Sequence, residues 1–212
     1  MNYQEYCETI KGVVIPKTLV FDIGYLWFHH DRLPLKLVSL GNTSTPVINV
    51  PSRALNSYGK MVPVTDISKN AFAGNGFVTD IIIPPGIWSF PEEAFSSCTH
   101  LKNITIPKTI KRILAKTFDG CSNLENVYYE GSLEDWENMD IAFERYEIDF
   151  GGNIPGTPIR VITDERIVYI PGNDALRKAT IHFNCDLKQL ETEYRDDNNN
   201  HNKNAEYIIY PE

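Results

Sequence analysis

Apolar residues recur along the middle of the chain in one fixed phase. Phe72, Phe95 and Phe118 stand 23 residues apart. The same step joins Ile67, Phe90 and Ile113; Val64, Ile87 and Ile110; and Ile81, Ile104 and Val127. Ala71 and Ala94, Pro84 and Pro107, Cys98 and Cys121, and Leu101 and Leu124 keep it too. Within a unit the pattern changes period. Ile104 and Ile106 alternate with Asn103 and Thr105, which is how a strand with one inward face reads. Pro107 stops the ladder because it has no N–H to donate. Ile110 and Ile113 return three residues apart, and Gly120-Cys121-Ser122-Asn123 turns the chain back. A unit of 23 residues cannot bury its apolar side alone, so the units stack and their Phe, Cys and Leu positions form ladders inside.

The flanks keep the phase with insertions. Ile48 and Val50-Pro51 mark another strand end, 33 residues before Pro84, so this unit carries ten extra residues around Ser52 to Lys60. Ile15-Pro16-Lys17-Thr18-Leu19 repeats Ile106-Pro107-Lys108-Thr109-Ile110 in four of five residues, with Phe28-His29-His30-Asp31 in the long coil that follows. Past Tyr129 the repeat stops. Ser132 with Asp135 reads as a helix start. Arg160 to Ile170 reads as a hairpin around Asp164-Glu165, Ala179 to Phe183 as a strand, and Asp186 as the cap of a short helix through Tyr194. Asp196 to Asn204 reads as a polar loop, and Tyr207 to Tyr210 as a last strand.

Alternation also says which side chains leave the core. Ile81 and Ile83 go in while Asp80 and Ile82 go out. The repeat carries this to Asn103 and Thr105, to Asn126 and Tyr128, and to Asn49 in the preceding unit. Two outward stripes result, Asp80/Asn103/Asn126 and Asn49/Ile82/Thr105/Tyr128. An outward isoleucine beside a tyrosine marks either a contact surface or a surface covered by an insertion or a second subunit. These seven residues are the candidate partner-binding site.

Charge narrows the partners. Lys and Arg number 20 against 28 Asp and Glu, a net charge of −8, which does not suit a nucleic-acid or anionic-membrane footprint. No apolar run approaches the ~20 residues of a membrane span. Residues 1–10 lack the basic and apolar segments of a signal peptide, so the chain reads as cytoplasmic as given, or as secreted or displayed at a cell surface if a leader was removed. Four cysteines form no C-x-x-C pair, which excludes a zinc ribbon or a thioredoxin-type motif. Cys98 and Cys121 share one ladder phase, where buried thiols serve as small hydrophobes whose Cβ vectors run parallel.

Other chemistry is sparse. His29-His30-Asp31 lacks a third ligand at a defined spacing, and His182 reads as a structural strand residue, while His201 falls in the Asn/Asp loop. Asp196 to Asn200 lacks the glycine and distal glutamate of a calcium loop. Glu134, Asp135 and Glu137 suit a helix start without any catalytic role. No nucleophile elbow, phosphate loop, dinucleotide fingerprint or zinc-protease motif occurs. The expectation is a non-enzyme with no metal and no cofactor.

The repeat resembles the BspA-type leucine-rich repeats, a bacterial family. The resemblance rests on Ile67-x-x-x-Ala71-Phe72, on Phe90-x-x-x-Ala94-Phe95-x-x-Cys98-x-x-Leu101-x-x-Ile104-x-Ile106-Pro107, and on Ile113 through Phe118, Cys121, Leu124 and Val127. Tyr129 to Trp136 and Gly172 to Asn184 look like the family's usual ending, which makes residues 140–171 an insertion. The resemblance implies a β-rich α/β fold, an open right-handed solenoid with short helices or turns on its convex side. It also implies mostly surface or secreted interaction proteins, and it carries no catalytic residues. The expected organisation is one domain, with irregular repeats over 1–61, regular repeats over 62–131, and a cap over 132–212. The expected function is to present the strand face to a protein or glycan partner, as a monomer or as a homo-oligomer through a solenoid end. The alternative is a small-ligand receptor with a pocket made by the insertions.

Overall fold

The computed structural model describes residues 1–10, 19–23, 34–40, 44–56, 58–142, 145–150, 165–170 and 172–190. In chain order the elements begin with α1 (Tyr3–Thr9), β1 (Val20–Ile23), β2 (Leu35–Ser39), β3 (Val47–Asn49), β4 (Arg53–Leu55) and β5 (Met61–Ile67). The regular repeats supply β6 (Asp80–Ile82), β7 (Ser89–Phe90), β8 (Asn103–Ile106), β9 (Arg112–Ile113) and β10 (Asn126–Tyr129). After them come α2 (Leu133–Glu137), β11 (Asp140–Ile141), β12 (Arg145–Phe150), β13 (Glu165–Ile170), α3 (Asp174–Lys178), β14 (Thr180–His182) and a 3-10 turn at Leu187–Leu190.

The 23-residue step becomes two stacks of parallel strands. One sheet runs β14-β10-β8-β6-β3 and a second runs β11-β9-β7. Register follows the repeat: Asp80 stands beside Asn103 and Asn103 beside Asn126, while Ile82, Thr105 and Tyr128 form the next row. β3 and β14 extend both rows, with Asn49 beside Ile82 and His182 beside Tyr128. Between the stacks, residues 68–76, 91–99 and 114–122 are turns and bends, not helices. The fold is β-rich with three short α-helices among the described residues.

Ile48, Ile81, Ile104 and Val127 fill the interior from one sheet, and Phe90 and Ile113 from the other. Phe72, Phe95 and Phe118 make the expected ladder, with ring centroids 4.8 and 5.1 Å apart. Each fully buried aromatic is worth about 2–3 kcal/mol of transfer energy. All four cysteines are reduced and buried. Cys98 Sγ donates to the Phe72 carbonyl at 3.0 Å and Cys121 Sγ to the Phe95 carbonyl at 3.1 Å, one coil on. Burial pushes these thiols up, to about 11 and about 12, so they act as packing, as their ladder phase requires.

The N-terminal part departs from the regular stack as its irregular spacing suggests. The extra residues around Ser52 to Lys60 include β4, which folds back antiparallel on β5, while β2 pairs parallel with β5 and antiparallel with β1. In the C-terminal part, Ser132 and Asp135 form a capping box on α2. The expected insertion begins inside a coil, because Asp140 and Ile141 pair with Arg112 and Ile113. Its strand β13 pairs with β12, so the hairpin does not turn at Asp164-Glu165. Sequence-local alternation missed the partner because β12 lies fifteen residues upstream.

Candidate functional site

The two outward stripes exist in the register read from the sequence, but they are not open to solvent. Asn49, Ile82, Asn103, Thr105, Asn126 and Tyr128 are buried, with Tyr128 and Thr105 at 0% exposure, and Asp80 is half-buried. The reason is a cover made of two segments far apart in sequence, α1 and residues 185–190. Tyr6, Cys7 and Ile10 from the first, and Cys185, Leu187 and Leu190 from the second, form one cluster with Ile82 and Tyr128. A strand face carrying an isoleucine and a tyrosine is apolar enough to reward such a cover.

The cover is held by few polar contacts. Asn49 Nδ2 donates to the Leu190 carbonyl at 3.0 Å, and the Tyr3 hydroxyl to the Asp186 carbonyl at 2.7 Å. Asn2 and Glu5 close a capping box at the start of α1. The Tyr128 hydroxyl donates to the Met1 carbonyl at 3.4 Å and the Cys185 N–H to the Tyr129 carbonyl at 3.0 Å, and aromatic stacking adds to the apolar contacts. The Tyr128 ring lies between Tyr6 (4.3 Å, 17°) and His182 (4.8 Å, 21°), with Tyr3 tilted against it at 5.6 Å. Such pairs contribute about 0.5–1.5 kcal/mol each beyond their burial. The Tyr6 hydroxyl is buried without a well-formed hydrogen bond. Burial, then the Asp80 charge, pushes its ionisation up; the same two causes raise Tyr128 to about 12.

Under the cover runs a ladder of polar side chains. Asn103 Nδ2 donates to Asp80 Oδ1 at 2.7 Å, and Asn126 Nδ2 to Asn103 Oδ1 at 3.0 Å. Asn126 Oδ1 in turn lies 3.0 Å from His182 Nε2. A carbonyl oxygen only accepts, so Nε2 carries the proton. Thr79 Oγ1 adds a 2.6 Å bond to Asp80 Oδ2. The second stripe is anchored differently, with Thr105 Oγ1 accepting from the Ile83 N–H at 2.9 Å. Burial lowers the His182 pKa.

Sequence reasoning missed the cover, although a signal existed. Tyr3, Tyr6, Cys7 and Ile10 recur at helical spacing behind an Asn2/Glu5 capping box. His182, read as structural, joins both the aromatic column and the polar ladder. Asp135 serves as a cap, its carboxyl held low by the Ser132 N–H and hydroxyl. Phe28 to Asp31, Asp196 to Asn204, His201 and Tyr207 to Tyr210 lie outside the described residues. Among the described residues no group of three or more His, Cys, Asp or Glu is placed to hold a metal ion, and no helix is long and apolar enough to cross a membrane. A cleft of about 290 Å³ lies between the turn at Phe118 to Leu124 and residues Gly172 to Lys178. Of its charged and hydroxyl side chains, Asp119, Ser122 and Lys178 are exposed on the rim and Asp174 is half-buried.

The stacked parallel coils coincide with a match to a family model. Residues 55–147 match the BspA type leucine rich repeat region in six copies. This segment belongs to the BspA-type leucine-rich repeats. Such repeats are, as a class, interaction modules that present extended surfaces. Three solved structures are similar. A T. pallidum leucine rich repeat protein is 19% identical, over 57% of this chain and 55% of that one, with a TM-score of 0.44. A leucine-rich repeat protein from Bacteroides ovatus ATCC 8483 is 26% identical, over 56% and 31%, with a TM-score of 0.44. One from Bacteroides capillosus ATCC 29799 is 21% identical, over 55% and 80%, with a TM-score of 0.46. The match thus spans about half the length of the first protein and about a third of the second. No curated protein sequence matches the chain.

Proposed function

We propose that the chain is a non-enzymatic binding module whose strand face takes a protein partner in exchange for its own cover. The observation that carries this is the nature of the present occupant. A seven-residue helix offering Tyr3 and Tyr6 lies on Tyr128 beside a ladder of side-chain amides. Helices this short are marginal alone, so α1 is the part of the site most readily displaced by a competing segment. A partner helix bearing aromatic residues would meet the same column, and its polar groups the Asp80–Asn103–Asn126 ladder. Display at a cell surface or secretion goes with this reading, since BspA-type repeats are found there. A small ligand would sit instead in the cleft beside α3, but three of the four charged or hydroxyl side chains there are exposed and the fourth, Asp174, is only half-buried, where ligand pockets converge buried polar groups.

The test uses an array of immobilised helical peptides and of oligosaccharides. Tyr6→Ala, which loosens the cover, is expected to raise peptide binding about tenfold, the equivalent of one lost stacking contact. Adding Tyr128→Ala or Ile82→Asp is expected to abolish it. If the loosened chain binds and neither second substitution matters, the strand face is the wrong surface. Selective capture by oligosaccharides would move the partner to the glycan class.

A further inference from the structure

Two of the four thiols sit where the cover closes. Cys7 is on α1, and Cys185 starts the segment that reaches the face from the other end of the described chain. They are 7% and 3% exposed and belong to one buried cluster. Tyr3, one helical turn before Cys7 on the same face of α1, donates to the carbonyl of Asp186, the residue next to Cys185. The link between the two segments is therefore made within a residue of one thiol and a turn of the other. We propose that Cys7 and Cys185 are a redox pair, and that the disulfide between them is a clasp that pins α1 over the strand face.

The chemistry needs an oxidant, and a small-molecule disulfide such as oxidised glutathione supplies it. Burial, and then the proximity of Cys7, pushes the Cys185 thiol up to about 12, so it is inert while covered. When α1 lifts, Cys7 loses its proton to solvent and its sulfur attacks the glutathione disulfide. One S–S bond forms, one breaks, and the first glutathione leaves as a thiolate that takes up a proton. Before α1 re-docks, Cys185, still open to solvent, loses its proton and attacks the Cys7 sulfur, and the second glutathione leaves as a thiolate that takes up a proton. Two protein thiols are oxidised and one glutathione disulfide is reduced to two thiols. Cys98 and Cys121 have no such route. They lie inside the repeat core at 0 and 2% exposure, each thiol donating to a carbonyl of the preceding coil.

The clasp's effect on binding rests on the strand-face reading, but its formation does not, and the test separates them. The full chain is incubated with oxidised glutathione, quenched in acid, unfolded, alkylated and mapped by mass spectrometry. The expected product is a Cys7–Cys185 peptide pair with Cys98 and Cys121 alkylated, reversed by dithiothreitol and absent from Cys7→Ser. Hydrogen exchange of the α1 amides is expected to slow about tenfold in the oxidised chain. Four alkylated thiols, a glutathione adduct that never resolves, a Cys98–Cys121 pair, or unchanged α1 exchange would each overturn the clasp. A clasped chain that binds the peptide array as well as the reduced Tyr6→Ala variant would instead overturn the strand-face reading alone.

Discussion

The backbone repeats itself as strictly as the side chains do. Asn70, Glu93 and Lys116 all take positive φ, at 62, 58 and 58°, and Gly74, Ser97 and Gly120 do so at 70, 57 and 74°. Both columns step by 23 residues. Left-handed backbone costs a residue with a Cβ about 1–2 kcal/mol. The second column uses glycine in two coils and carries the strain at Ser97 in the middle one. Ser97 is exposed, so little besides that strain changes on substitution. Ser97→Gly is expected to stabilise the chain by about 0.5–1 kcal/mol after the entropy of the freer unfolded chain is counted. Gly120→Ala is expected to cost about 1–2 kcal/mol, because its Cβ would also lie 3.2 Å from Ser97 Cα. Urea unfolding midpoints measure both, and a lowered midpoint for Ser97→Gly would refute the account. The apolar ladder was legible in the sequence because burial selects residue type. This column was not, because stacked turns impose φ on whatever residue stands there.

At the scale of elements, each coil ends by borrowing from the next. The Phe72 N–H donates to the Ala94 carbonyl at 2.9 Å, and the Phe95 N–H to the Thr117 carbonyl at 3.0 Å. Phe118 donates instead to Asn173 Oδ1 at 2.9 Å. Asn173 Nδ2 bonds the Leu114 and Ala142 carbonyls, both at 2.8 Å, and the residue is fully buried. One side-chain amide thus stands where the earlier coils use a backbone carbonyl of the next coil. Asn173→Ala would leave the buried Phe118 N–H and the Ala142 carbonyl without this partner, while the Leu114 carbonyl keeps the Thr117 hydroxyl, a loss of about 2–3 kcal/mol. Asn123→Ala, which removes an exposed 2.6 Å bond to the Thr99 carbonyl, is the control and should stay within about 0.5 kcal/mol. Thermal unfolding of the two variants decides it, and equal losses would show that the cap is dispensable. The strand face was read in its true register because alternation within one strand sets which side chains share a face. Asn173 could not be read that way: its three partners lie 31 to 59 residues away.

For the whole molecule, the consequence is a core and a cover of unequal stability. The coils share one continuous apolar cluster, whereas α1 and residues 185–190 rest on a small separate one. That division was invisible in the repeat, which describes only how coils meet coils. It comes from two segments, one before the repeat and one after it, that obey no period yet land on the same face. His182 ties the cover to the ladder, stacking on Tyr128 and donating from Nε2 to Asn126. Burial lowers its pKa, so the fold favours neutral imidazole. Its contribution is therefore complete above about pH 6.5, the unfolded value, and is lost as the pH falls through the lower folded value. Between pH 7.5 and 5, protection factors of the α1 amides are expected to fall while those of β8 and β10 hold. His182→Gln keeps a neutral donor for Asn126 and should flatten that dependence. Hydrogen exchange at the two pH values measures it. Equal loss of protection in α1 and β8 would mean that the molecule opens as one unit, and a pH response undiminished in His182→Gln would place the titrating group elsewhere.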